Sequence, residues 1–197
     1  MPKKKKAKSD SILNFICEAG LLKRTRRSGW SVLGIDNPES VAEHSFRCAV
    51  IGYCLAKMED ADVYKVLMMT LLGDIQEARI GDFHKMTQRY VQAEKIEDKA
   101  FSEQICRLPA AIAEELKTLH GEYRDQTTKE SLIARDADIL ECLIQAKEYY
   151  EHGYKEAIKF TKKAPQCLRT ASSRKLWHIA KNSGLNDWWI RLSEFKR

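Results

Sequence analysis

The stretch Leu71-Leu72-Gly73-Asp74-Ile75-Gln76-Glu77-Ala78-Arg79-Ile80-Gly81-Asp82 (LLGDIQEARIGD, residues 71–82) decides how the chain is read. It closes the apolar run Val66-Leu67-Met68-Met69-Thr70-Leu71-Leu72 and puts a glycine and a carboxylate where a helix made from that run is most buried. Glycine costs a helix interior roughly 1 kcal/mol against alanine. A buried carboxylate is costly unless it is paired or binds a metal. Neither residue serves the packing of a helix, so the stretch points to a site.

Its surroundings are helical. Only nine glycines and four prolines punctuate 197 residues, alternating strand patterns are almost absent, and the 3.6-residue period dominates. Helices are expected near residues 10–20, 40–58, 61–75, 94–107, 110–121, 128–152, 155–163, 171–183 and 186–195. Asn37-Pro38-Glu39-Ser40 supplies a turn and a cap before the second helix, and Thr127 or Thr128 can cap the long one. Pro109 separates two helices, and Gly81 is a helix stop inside the least regular segment, residues 76–93. The expectation is an all-α single domain over residues 10–197, long enough to bury a real core.

Hydrophobic and charged contents of 44% and 31% describe an ordinary globular protein. Lys3, Lys4, Lys5, Lys6 and Lys8 carry five of the six net positive charges, so the body is nearly neutral. The basic run reads as a solvated, disordered tail over residues 1–9; a localisation signal or nucleic-acid arm is the alternative. No aromatic residues interleave its lysines, so no nucleic-acid partner is expected. No run approaches the roughly 18 apolar residues of a membrane span, and no signal peptide is read at the start. Six cysteines without a CxxC pair fit reduced thiols. The chain is expected to be cytoplasmic, with no membrane partner.

Three polar groups fall where helical geometry predicts burial. His44 shares a face with Cys48, Ile51 and Leu55. Asp74 lies on the face of Leu67 and Leu71, and Asp138 lies between Ala134 and Cys142. Asp136 and Asp138 are about 200° apart on a helix, so both cannot face one interior point. Each has a plain explanation: a core histidine bonded to a backbone carbonyl, or an aspartate meeting an arginine or capping a helix. Three on three separate helices also fit one convergent site. Imidazole with carboxylates suits a divalent metal, Mn, Co, Fe or Zn, or Mg if carboxylates dominate.

Pro38-Glu39-Ser40-Val41-Ala42-Glu43-His44-Ser45, then Asp74-x-x-Glu77-Ala78-Arg79-x-Gly81-Asp82, then Asp138 on a later helix, resembles the HD-domain metal-dependent phosphohydrolases. Within them the chain is similar to the small 5′-deoxynucleotidase branch, which removes phosphate from deoxyribonucleoside 5′-monophosphates. The similarity runs from about Asn14 to Trp189 and includes Leu21-Leu22-Lys23-Arg24, Gly29-Trp30, Arg89-Tyr90-Val91 and Trp188-Trp189. It implies an all-helical bundle, a small nucleotide substrate and a homodimer.

The resemblance implies a metal held by His44, Asp74 and Asp138. The family's adjacent His-Asp pair reads Gly-Asp here, so Gly73 stands where a ligand is missing. Water in that place leaves a three-residue set; His84 is the nearest replacement in sequence, or else a loop histidine. The resemblance further implies that Glu77 is a catalytic carboxylate beside the attacking water, against a salt bridge with Arg79. It implies that Asp82 acts around the leaving sugar oxygen, against a turn cap. Trp30 would pack near the sugar, or be a core side chain. Arg27 can offer a guanidinium fork to phosphate, with Arg24 and Arg26 as alternatives. Three functions follow: a deoxynucleoside monophosphate phosphatase, a non-catalytic relative that binds a nucleotide or metabolite, or a phosphohydrolase for another phosphate ester.

Overall fold

The structure is a computed structural model that describes residues 2–190 and 192–193. In chain order its helices are α1 (Pro2–Ala19), α2 (Ser28–Ser31), α3 (Val41–Glu59), α4 (Val63–Leu72), α5 (Glu77–Ile80), α6 (Lys85–Gln88), α7 (Ala93–Ile105), α8 (Ala110–Asp125), α9 (Lys129–Glu151), α10 (Ala171–Asn182) and α11 (Asp187–Ile190). Short 3-10 segments cover Gly20–Lys23, Lys155–Thr161 and Ala164–Cys167. Among the described residues there is no strand, only an isolated antiparallel bridge between Arg26 and Ser40. The fold is all-α, as the periodicity predicts.

Local chemistry sets the main boundaries. Ser40 accepts from the Glu43 N–H while Glu43 accepts from the Ser40 N–H, a reciprocal box that starts α3. Thr128 and Ser131 form the same box at α9, and Pro109 precedes α8. Four boundaries differ from the periodic reading. The helix expected over 61–75 stops at Leu72, because the chain tightens into three-residue turns. Residues 155–163 form 3-10 turns instead of an α-helix. Helical backbone begins at Pro2 and runs through the lysines assigned to a tail; proline is tolerated in a first turn, and lysine and alanine favour helix. Of the helix expected near 186–195, α11 covers Asp187–Ile190, while Arg191 and residues 194–195 lie outside the described residues.

The centre of the bundle is α9, which packs against α3, α4, α8 and α10. Leu55, Val66, Ile133 and Ala137 form one part of the core; Leu140, Leu143, Leu168 and Trp177 continue it along α9. Burying each large aliphatic side chain contributes about 1.5–3 kcal/mol. Thus α3, α4 and α9, the elements that carry His44, precede Asp74 and carry Asp138, are fixed against one another by apolar contact. Trp177 lies in this core, whereas Trp188 and Trp189 on α11 are exposed.

Two aspartates two residues apart on α9 do different work. Asp136 is fully buried and accepts from the Arg169 and Thr170 N–H groups and from the Thr170 and Ser173 hydroxyls. It satisfies the start of α10 from a neighbouring helix, while Asp138 faces the other way. Removing the Asp136 carboxylate strands several buried donors at once. Asp136→Ala is expected to lower the unfolding free energy by about 3 kcal/mol in urea denaturation, with a smaller loss in Asp136→Asn.

Candidate metal centre

His44 is in the first full turn of α3, so the Ser40–Glu43 box fixes its direction into the bundle, where it is 1% exposed. Its Nδ1 lies 2.5 Å from Glu141 Oε2 on α9. Arg47 donates to the other oxygen of Glu141 from Nε at 3.0 Å and Nη2 at 2.8 Å. Burial opposes the Glu141 charge, but the His44 and Arg47 bonds win and hold its carboxyl below the usual range. An ionised Glu141 keeps a proton on Nδ1, which leaves Nε2 as the working nitrogen. That nitrogen faces Asp138 Oδ1 at 3.2 Å, Cys48 Sγ at 3.4 Å and Asp74 Oδ2 at 3.5 Å.

Asp74 reaches this point because the chain narrows after α4. Ile75 N–H donates to Leu72, Glu77 N–H to Asp74 and Ala78 N–H to Ile75, all three residues back. In such turns side chains three apart eclipse, so Asp74 and Glu77 turn to the same side. The face expected from Leu67 and Leu71 is not the one Asp74 uses: Leu71 is exposed. Gly73 has ordinary helical φ and ψ of −56° and −35°. A Cβ there would stand 2.8 Å from the Met69 carbonyl oxygen and 3.7 Å from the Tyr123 ring. A side chain at 73 therefore requires the end of α4 to give slightly.

Two guanidiniums meet the carboxylates. Arg27 Nη1 lies 3.6 Å from Asp74 and 3.5 Å from Asp82, and Arg135 Nη1 lies 2.5 Å from Asp138. Arg27 is brought in by its N–H bond to the Glu39 carbonyl, beside the Arg26–Ser40 bridge at the head of α3. Gly81, at φ 76°, turns the chain after α5 so that Asp82 comes back onto α2. Asp82 Oδ2 accepts from Ser28 N at 2.6 Å and Ser28 Oγ at 2.8 Å, so it pins the turn that carries Arg27 and Trp30.

Electrostatics divides these acids. Asp138 is held below the usual carboxylate range: burial opposes its charge, but the His44 hydrogen bond and Arg135 outweigh it. Burial raises Asp74 despite His44 and Arg27. Glu77 is pushed up to about 10 by burial and by the charges of Asp74 and Asp82, and its Oε2 is buried without a hydrogen-bond partner among the described residues. Burial works against an imidazolium at His44, yet the Cys48 sulfur and Asp138 raise it well above its ordinary value.

Imidazole with carboxylates is a donor set of the kind a divalent ion takes. His44 Nε2 lies 3.5 Å from Asp74 and 3.2 Å from Asp138, and Glu77 Oε2 is buried without a hydrogen-bond partner among the described residues. The residues that would hold the ion are His44 through Nε2, Asp74 and Asp138. A tighter trio, His44, Cys48 and Glu141, has donor atoms within 4.8 Å of one another. Glu141 is committed there to Nδ1 and Arg47, which makes it a support for His44 more than a ligand.

A family model for the HD domain matches residues 19–177. The chain belongs to the HD-domain family. It is 35% identical over 149 residues to a protein named 5′-deoxynucleotidase HDDC2 in Dictyostelium discoideum, covering 71% of this chain and 77% of that one. It is 31% identical over 163 residues to 5′-deoxynucleotidase hdd1 of Schizosaccharomyces pombe, covering 79% and 81%. Among solved structures, a conserved hypothetical protein from Pyrococcus furiosus superposes with a TM-score of 0.73 at 33% identity, covering 86% of this chain and 96% of that one.

The remaining residues singled out from sequence take different places. Trp30 is 2% exposed; its Nε1 donates to Glu39 at 2.9 Å, and its ring packs on Tyr149 and Phe160. That is a core position, not a wall open to a sugar. His84 caps α6 by accepting from the Thr87 N–H, so it is not gathered with the ligands. Glu141 and Arg135 escaped the sequence reading. Their one signal was spacing, three residues on either side of Asp138 along the same face of α9.

The raised Glu77 gives a pH signature. Below the ordinary 4.5 both folded and unfolded states hold its proton; between there and about 10 the folded state alone does. Stability from this group is therefore present at acid pH and lost as pH rises through that window. In metal-free protein, Glu77→Gln is expected to leave stability near pH 4 unchanged and to raise it near pH 8, as read by urea melts at both values.

Proposed function

We propose that this chain is a metal-dependent phosphomonoesterase that hydrolyses deoxyribonucleoside 5′-monophosphates to deoxynucleoside and phosphate. The observation that carries the reading is the convergence on His44 Nε2 of Asp74 and Asp138, with Arg27 and the buried Glu77 beside them. The 5′-deoxynucleotidase names of its relatives support the same substrate class.

When bound by His44, Asp74 and Asp138, a divalent ion would supply Lewis acidity to a phosphate oxygen and lower the pKa of water. The chain's own residues do the rest. Arg27, whose guanidinium already lies between two aspartates, offers a fork to the phosphate oxygens. We read Glu77 as the carboxyl that exchanges a proton with the attacking water. Burial and the charges of Asp74 and Asp82 favour its protonated form in metal-free protein, and a bound cation would lower that proton affinity and free it to act as a base. Asp82 acts at one remove, by holding the Ser28 turn and with it Arg27. Glu141 orients His44. We read the ion as Mn, Co, Fe or Zn in preference to Mg, because an imidazole sits in the donor set. Residues 10–197 form the catalytic domain in this reading. The exposed Trp188 and Trp189 support a homodimer, and six free cysteines support a cytoplasmic protein.

One observation favours a second reading. Asp74 and Asp138 are each already paired with a guanidinium, and position 73 offers no ligand, so the pocket can hold a nucleotide without hydrolysing it.

Metal content and phosphate release, measured on a panel of deoxyribo- and ribonucleoside monophosphates with Mn, Co, Zn and Mg, separate the two. Phosphate released in preference from the deoxyribonucleotides is the expected result; nucleotide binding without release establishes the second reading. Gly73→His is expected to tighten Mn²⁺ binding at least ~10-fold by calorimetry, after a small shift at the end of α4. An unchanged affinity would remove position 73 from the ligand set.

A further inference from the structure

The C-terminal half of α1 is apolar on two sides. Ile12, Phe15 and Ala19 pack against the core around Leu22, Ile75 and Phe101. Glu18 fixes the helix from its flank by accepting from Arg79 and Gln104. The opposite side faces water. Leu13 is 58% exposed and Ile16 60%, with the exposed Cys17 beside them, at the three- and four-residue spacing of one helical stripe. Leu21, in the 3-10 segment that follows, adds a third aliphatic side chain at 38% exposed. Because the inner side is anchored, this stripe is held outward in a fixed direction.

Basic residues bracket the stripe. Lys3, Lys4, Lys5, Lys6 and Lys8 precede it in the sequence, and the exposed Lys23 and Arg24 follow it. Of the two acids in residues 3–24, Glu18 is engaged by Arg79, which leaves Asp10 against seven cations. We propose that α1 is a docking helix for an anionic phospholipid surface, with Leu13, Ile16 and Leu21 entering the headgroup–acyl boundary and the flanking lysines and Arg24 on the lipid headgroups. An apolar stripe and a basic cluster are the two signals that together hold a helix in the plane of such a surface. A nucleic-acid backbone would use the lysines but leave the aliphatic stripe in water. The expectation of no membrane partner came from the lack of a spanning run, and a helix lying in the interface needs none. The inference is independent of the metal centre.

Vesicle sedimentation of the full chain tests it. Vesicles of phosphatidylcholine alone are compared with vesicles in which about one third of the lipid is phosphatidylserine, at about 0.1 M and about 1 M salt. At the lower salt the expected result is binding at least ~10-fold stronger to the anionic vesicles, lost at the higher salt. Leu13→Gln with Ile16→Gln is expected to weaken that binding at least ~10-fold with an unchanged circular dichroism spectrum, since both side chains face water. Replacing Lys3, Lys4, Lys5, Lys6 and Lys8 together by glutamine is expected to weaken it by at least as much. Equal binding to both kinds of vesicle, or to neither, overturns the proposal. Full binding by the Leu13/Ile16 double variant overturns the inserted stripe. An oligonucleotide that displaces the vesicles and binds the parent and that double variant alike assigns the lysines to nucleic acid instead. A dimer that the double substitution dissociates, read by light scattering, shows that a second copy covers the stripe and overturns the lipid reading.

Discussion

The contact between His44 Nδ1 and Glu141 Oε2 ties the site to the fold. It joins the first turn of α3 to the middle of α9 through two buried polar groups that would each be costly alone. Arg47, one turn along α3, closes the arrangement by binding the second Glu141 oxygen and reaching Gln145 and Glu148 further down α9. The two helices are thus locked in register by a charged ladder laid over their apolar seam. Because Nδ1 is spoken for, Nε2 has a single direction in which to work.

Around that nitrogen the chain gathers more negative charge than it can leave unpaired. Among the described residues, Arg27 and Arg135 are the guanidiniums that meet Asp74, Asp82 and Asp138, and Glu77 lies close enough to feel the charges of Asp74 and Asp82. Guanidinium contacts meet part of the excess, burial and the neighbouring carboxylates raise the proton affinity of Glu77, and Asp138 with the Cys48 sulfur raises that of His44. In the metal-centre reading proposed above, a divalent ion would meet the same excess.

Much of this was legible in the residues. Ser40, Thr128 and Pro109 announced helix starts, and His44, Asp74 and Asp138 stood out because each interrupts an apolar face. The offset of about 200° between Asp136 and Asp138 meant that both could not face one interior point, and the family resemblance, not the offset, pointed to Asp138. Glu141 was hidden because α9 carries other glutamates, and its partner lies 97 residues away in the chain. The tightening after Leu72 was hidden because a 3.6-residue period carries no signal of where it stops applying. Trp30 was ambiguous by nature: a tryptophan before the site reads the same whether it faces substrate or, as here, the Tyr149 and Phe160 rings.

The bond from Asp82 to Ser28 spans 54 residues and staples the turn after α5 to α2. Each of the two segments is too short to hold its shape alone. Each is therefore ordered through the other, so a change in either segment is felt at Arg27 by way of the Asp82–Ser28 bonds.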